Sequence, residues 1–302
     1  MVIDCAIIGG GPAGLAAALV LGRARRSALV VDDARPRNAV TAAGHGYPTR
    51  DGVPPGELRR LAREELAAYP GIRLRSGKVA AIESRAGRFR VHLEGGGGFE
   101  ARTVLLAAGL KEQLPDIPGL RELYGTSLFN CPYCDGWELR DASLVAISTG
   151  GNLFQQAKQL LVWSRDLLVC THGRGQLSPQ QQQALEARGA RVARAPIAAL
   201  EGSGGKLHAV RFADGSRIAR SGGFVTPDAM LGTPLGAMLG CAHDAHGVLL
   251  VDGFGRTSVP GVYAAGDTAG MSPSQVVGAA ASGNRAAFSI GGDLAEADFG
   301  PA

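Results

Sequence analysis

The sequence predicts an α/β protein of two Rossmann-like three-layer ββα/βαβ domains, the first interrupted by the second. Three observations carry that prediction. A short apolar strand, a glycine-rich turn and an apolar helix open the chain; a degraded version recurs after residue 144; and near the far end another strand runs into Gly-Asp. With 302 residues, 45% of them hydrophobic, the chain is long enough for two cores.

Residues 5–8 (Cys-Ala-Ile-Ile) read as a buried strand, Gly9-Gly-Gly-Pro-Ala-Gly14 as a turn, and 15–23 as a helix lying under a parallel sheet. In that setting G-x-G-x-x-G has a mechanism. Gly9 permits the tight turn, Gly11 lets a diphosphate approach the backbone, and Gly14 lets helix and strand pack closely. The diphosphate sits at the helix N-terminus, where unpaired N–H groups and the dipole favour negative charge. Gly9, Gly11, Pro12, Ala13 and Gly14 are therefore candidate cofactor contacts. A second strand at 27–31 ends at Asp32-Asp33, about twenty residues past the turn, where a carboxylate accepts from ribose hydroxyls. Asp32, directly at the strand end, is the candidate. The motif does not choose FAD over NAD. Downstream, 88–92 and 103–106 read as strands flanking a loose hairpin tip at 94–99.

At 261–265 a buried strand runs into Gly266-Asp267, and an Ala-rich helix follows Ser274-Gln-Val276. Midway stands Asn130-Cys-Pro-Tyr-Cys-Asp135. A C-x-x-C pair can close a small disulfide ring, and Pro132 favours a helix entry whose dipole lowers the first thiol's pKa. The other readings are half a zinc site or two structural cysteines. No second C-x-x-C accompanies the pair, and His243 and His246 sit in a Gly-flanked loop, so no metal is expected. The same letters occur in glutaredoxins, but here they follow a complete half-domain.

Together these segments resemble the pyridine nucleotide–disulfide oxidoreductases, thioredoxin-reductase-like branch, over nearly the whole chain. The resemblance implies an FAD domain at 1–113 and 245–302 and an inserted NAD(P)-type domain at 114–244, with crossings at 115–119 and 241–247. It implies that Asp267 binds the ribityl and phosphate part of FAD and that Gln275 and Val276 of the next helix meet the flavin. Asn38 and His45 fall in the loop passing over it, Lys78-Val79 beside the adenine, and Ala108-Gly109 where the family has Thr-Gly. Cys134 would face the flavin and Cys131 would exchange with the partner. Asp135 matches the family's proton donor and acceptor, its other reading being a helix-capping carboxylate. In disulfide-forming relatives a His serves as base near the pair, which makes His45 a further candidate. A homodimer is expected on the same ground.

The pattern breaks after residue 144, where a thioredoxin reductase binds NADPH. Ser148 stands at the first Gly position, Gly150 at the second and Leu153 at the small third one. A Cβ at the turn strains positive φ, and a Leu pushes helix and strand apart, which weakens or abolishes dinucleotide binding. The strand at 166–171 ends in His172-Gly-Arg174 where NADPH-specific relatives carry His-Arg-Arg; Arg174 can meet a 2′-phosphate, but the fork of two guanidiniums is gone. Ser178-Pro-Gln-Gln181 opens a helix with a capping box that closes near Gly189. FAD is the expected cofactor, and NADPH is left open. The expected function is a dithiol oxidase closing a disulfide in a small molecule or peptide, with oxygen or another acceptor. The alternatives are an NAD(P)H-driven thioredoxin reductase with a thioredoxin-like protein partner, and a flavin-bound redox sensor.

Only four of the 31 basic residues are lysine, and the arginines are scattered without a basic stripe, so the net charge of +4 is a solvated surface and nucleic acid is not expected. Cys5, Cys170 and Cys241 lie in apolar stretches and read as structural. Five unevenly spread cysteines exclude a secreted disulfide framework. Gly9 to Pro12 break the first apolar run, which also lacks a basic leader, so a cytoplasmic protein without a membrane partner is expected.

Overall fold

The uninterrupted apolar stretch near the start forms the middle of strand β1 (Val2–Ile8), where Cys5, Ala6 and Ile7 are fully buried. A computed structural model describes residues 2–148, 152–173, 177–270 and 273–300, and the chain divides into two units. The first comprises Met1–Ala39, Gly46–Lys111 and Met230–Ala302; the second comprises Val40–His45 and Glu112–Ala229. Each contains a Rossmann-like α/β sheet.

In the first unit β1 leads through α1 (Pro12–Arg23), β2 (Ala28–Asp32), α2 (Pro55–Leu66), β3 (Ile72–Ser76), β4 (Val79–Arg85) and β5 (Arg88–Leu93) to β6 (Gly98–Leu106). The sheet order is β3-β2-β1-β6-β5-β4, and a strand from the far end of the chain, Val262–Ala264, pairs parallel with β6. The β1, β2, β3 and β6 pairings are parallel, with Cys5 opposite Ala28 on one side and Thr103 on the other. The β5–β6 hairpin turns at Gly95, Gly96 and Gly97, all at positive φ, as its loose tip requires.

The chain leaves this unit along β7 (Leu110–Gln113) and enters the second: α3 (Leu120–Leu123), β8 (Leu128–Phe129), α4 (Pro132–Asp135), β9 (Leu144–Ser148), α5 (Leu153–Leu160), β10 (Leu167–Cys170), α6 (Pro179–Glu186) and β11 (Arg191–Ala193). Then come β12 (Ile197–Ser203), β13 (Lys206–Phe212), β14 (Arg217–Ala219) and β15 (Gly222–Thr226). A parallel sheet runs β11-β10-β9-β15-β8, and β12-β13-β14 form an antiparallel sheet of their own. The latter is not anticipated from sequence, because Glu201, Lys206, Arg211 and Arg217 interrupt its apolar pattern. Ser178 caps α6 with the expected box: its Oγ accepts from Gln181 N–H at 3.2 Å, and Gln181 Oε1 accepts from Ser178 N–H at 2.9 Å.

The return strand β16 (Asp228–Leu231) pairs with β7, so both crossings are strands. This corrects the boundaries at 113/114 and 244/245: the units part at Lys111/Glu112 and Ala229/Met230. Residues 241–247 belong inside the first unit because Cys241, with Leu235 of α7 (Leu235–Met238) and Leu249, buries in the core of Val79, Ile82 and Val91.

After β17 (Val262–Ala264) the chain ends in α8 (Val276–Phe299). Asp293 of α8 takes two hydrogen bonds from Arg256, at 2.7 and 2.8 Å, and one from the Tyr263 hydroxyl at 2.5 Å, which fixes the helix against its own sheet. Nearer its start, α8 touches α1 backbone to backbone: a Cβ at Gly283 would lie 1.9 Å from the Ala13 carbonyl oxygen. Gly283→Ala is therefore expected to cost about 1–3 kcal/mol by overpacking, read as a lower thermal midpoint in circular dichroism.

Candidate functional site

The first unit builds a cradle at the head of α1. Gly9 has φ +113°, and a Cβ there would lie 2.3 Å from the Ala107 carbonyl oxygen; one at Gly14 would lie 2.0 Å from that of Gly9. Both positions exclude every side chain. Gly11 is the N-cap, no side chain caps the turn, Pro12 occupies the first helical turn, and nothing lies within 4 Å of where a Gly11 Cβ would be. The result is a helix N-terminus with no side-chain cap and open space beside Gly11, which fits a diphosphate.

Asp32 ends β2 against this turn, since a Cβ at Gly10 would lie 2.7 Å from its Oδ2. Arg63 of α2 donates to that same oxygen. Sequence inspection gives no sign of this ion pair, because 31 residues separate the partners. On the far chain segment a Cβ at Gly266 would lie 3.0 Å from Ala13 Cβ, so Gly266-Asp267 meets the head of α1. Asp267 Oδ2 accepts from Arg37 at 3.0 Å. Asn38 follows Arg37 in a single 3-10 turn and is half-buried.

Ala108-Gly109 follows β6, and Gly109 N–H donates to the buried Thr268 hydroxyl at 2.8 Å. Gln275 is the N-cap of α8 and Val276 its first residue; a Cβ at Gly46 would lie 3.3 Å from Gln275 Oε1. Val79 is buried at the start of β4. Chain segments from both ends thus converge on one turn. Arg63 and Thr268 are the partners that the sequence motifs leave out, whereas Arg37 stands in the Arg35-Pro-Arg-Asn38 stretch of the loop.

The second unit holds the cysteine pair. Cys131 and Cys134 form a disulfide with Cα atoms 5.3 Å apart, Cys131 is the N-cap of α4 and Pro132 lies in its first turn. The entry geometry expected of Pro132 is therefore present. No side chain caps α4, and Asp135 is its last residue, so the capping role is not what Asp135 performs. Burial raises its carboxyl to about 6, opposed by His45 and reinforced by Glu138. His45 groups with this unit, and its Nε2 lies 3.7 Å from Glu138 Oε1. Tyr133 is 72% exposed with its ring edge-on to Trp163, centroids 5.3 Å apart. By contrast, burial pushes the Cys5 and Cys170 thiols up to about 12, so neither supplies a thiolate near neutrality.

At the second nucleotide-type turn, Ser148 is fully buried as the last residue of β9, opposite Thr226, and Leu153 is fully buried as the first of α5. Gly150 and Arg174 lie outside the described residues. His172 has φ +51°, and its Nδ1 accepts from Ile197 N–H at 3.0 Å.

Two outcomes follow. Asp135 has a higher pKa folded than unfolded, so its contribution to stability is lost as pH rises through about 6. Asp135→Asn is expected to melt above the wild type at alkaline pH, the difference closing in mild acid, as differential scanning fluorimetry across pH will show. On the expectation from the sequence that Asp32 accepts from a bound ribose, Arg63→Ala, which frees the Asp32 carboxylate to swing, is expected to weaken FAD binding to the apoprotein about fivefold to tenfold, read by flavin fluorescence titration.

The model of the family described as "Pyridine nucleotide-disulphide oxidoreductase" matches residues 3–283. Thioredoxin reductase tcpT of Claviceps purpurea is 35% identical over 281 residues, covering 89% of this chain and 88% of that protein. Among solved structures, TrxB from Bacillus anthracis superposes with TM-score 0.95 and 40% identity over 98% of this chain and all of that one. HlmI superposes with TM-score 0.94 and 38% identity over 99% and 94%. The chain belongs to the pyridine nucleotide–disulfide oxidoreductase family, on its thioredoxin-reductase-like side, and is an FAD-dependent disulfide oxidoreductase.

Proposed function

We propose that the enzyme works as a dithiol oxidase, closing a disulfide in a small-molecule or peptide dithiol. The observation that carries this reading is the contrast between its two nucleotide-type turns. The first keeps both glycines that no side chain can replace and an open helix N-terminus. The second has a buried Ser148 at the turn and a buried Leu153 where helix and strand should touch. A nicotinamide dinucleotide has less to bind there than FAD has in the first unit.

In this reading Gly9, Gly11, Pro12, Ala13 and Gly14 receive the diphosphate of FAD, and Asp32, oriented by Arg63, accepts from the adenosine ribose. Val79 lines the adenine side. Asn38, Ala108, Gly109, Gly266, Asp267, Gln275 and Val276 hold the remainder. Held by these residues, FAD would supply a two-electron acceptor for the reduced cysteine pair and a donor to oxygen or another acceptor.

Substrate thiolate attacks Cys131 Sγ, forming a mixed disulfide as the Cys131–Cys134 bond breaks and Cys134 leaves as thiolate. The second substrate thiolate attacks the substrate sulfur of that mixed disulfide, Cys131 leaves, and the substrate departs oxidised. Two protons must be taken up. Asp135, ionised above about 6, is the acceptor beside the pair, with His45 and Glu138 tuning it. Turnover is then expected to fall below about pH 6 and to lose that limb in Asp135→Asn.

The names of the relatives favour a second reading, a thioredoxin reductase running the relay backwards toward a thioredoxin-like partner. Anaerobic mixing separates the two. A dithiol oxidase leaves the flavin absorbance unchanged with NADPH or NADH and bleaches it with dithiol. Prompt bleaching by either nicotinamide overturns the oxidase reading.

A further inference from the structure

We infer that Glu112 is a positioning residue for the redox pair, acting through Asn130. Glu112 lies on the crossing strand β7, eighteen residues before Asn130 in sequence. One of its oxygens, Oε1, accepts from Asn130 Nδ2 at 2.6 Å; the other, Oε2, accepts from the Tyr124 hydroxyl at 2.5 Å. Asn130 immediately precedes Cys131. Tyr124 opens the same turn, bridging to Leu128, and Gly125 N–H donates to the Leu128 carbonyl at 2.8 Å. A single carboxylate therefore grips both ends of the segment that delivers Cys131 to the head of α4.

All three residues are half-buried, where hydrogen bonds to an ionised group are short and about twice as strong as neutral ones. The grip is made while the sulfurs are bonded. Reduction separates them to non-bonded contact, and whatever displacement of the Cys131 backbone accompanies that separation works against the hold on Asn130. The carboxylate thereby favours the disulfide over the dithiol, and the pair resists reduction more than its ring alone dictates. Because this concerns the couple and not the direction of electron flow, it stands whichever reading of the function survives.

The experiment is anaerobic equilibration of the holoenzyme with a dithiothreitol redox buffer, the thiol content read by mass spectrometry after alkylation. Glu112→Ala is expected to raise the equilibrium constant for reduction about tenfold, the worth of one hydrogen bond to a charged group. Glu112→Gln, which keeps an amide bridge without the charge, is expected to raise it less, and Asn130→Ala to reproduce most of the alanine effect. In the double variant the two effects are expected not to multiply, since both remove the same link. Should Glu112→Ala fail to fold, Asn130→Ala and Tyr124→Phe carry the test. Values within about twofold of wild type in the folded variants, or effects that multiply in the double variant, overturn the assignment.

Discussion

Everything in the first unit hangs on backbones meeting where no Cβ fits. The turn after β1 lies against the carbonyl after β6, the first turn of α1 against the turn itself, and α8 against the first turn of α1. Each contact removes the freedom to substitute, and the first and third join parts of the chain far apart in sequence. Because α8 is required to complete the packing around α1, the unit must be discontinuous: residues from the far end close it. The same contacts leave the helix N-terminus uncapped and facing open space, so the partial positive charge there is available to a phosphate.

The second unit poses an electrostatic problem of a different kind. A disulfide relay needs a thiolate and a place for protons, both next to a ring of half-buried atoms. Fully buried Cys5 and Cys170 show what happens without such provision, since desolvation keeps their protons bound. The redox cysteines instead sit at the head of a short helix, one residue from a carboxyl that burial has brought close to neutrality. His45 and Glu138 pull that carboxyl in opposite directions, so its proton affinity is a balance and not a consequence of burial alone. Glu112 adds a mechanical element, tying the segment before Cys131 to the strand along which the chain enters the unit.

What was legible in the sequence was whatever short-range chemistry specifies. The glycine turn, the acid at the end of β2, the Gly-Asp after β17, the cysteine helix with its proline and the capping box of α6 each depend on residues a few positions apart. The unit boundaries were misplaced because proline- and glycine-rich stretches mark turns, whereas the crossings are paired strands whose partners lie far apart in sequence. His45 was read with the flavin loop, yet six residues of that loop, Val40–His45, group with the other unit. Arg63 and Glu112 were invisible for a related reason. A lone charged residue on a helix or strand carries no local signature of the partner it meets across the fold.

The strand-to-helix order of the first unit, β1 into α1, recurs in the second as β9 and α5, each on a parallel sheet. In one copy, substitutions at the turn are excluded by backbone contacts at about van der Waals distance or closer, which only glycine survives. In the other, a serine ends the strand inside a regular parallel pairing and a leucine fills the space between helix and sheet, joining Leu144, Ala146, Leu160 and Phe224 in a continuous apolar core. Burying Leu153 among these side chains stabilises the helix against its sheet through apolar area removed from water. The dithiol-oxidase reading proposed above rests on this contrast between the two copies: glycines held by backbone contact in the first, buried serine and leucine side chains in the second.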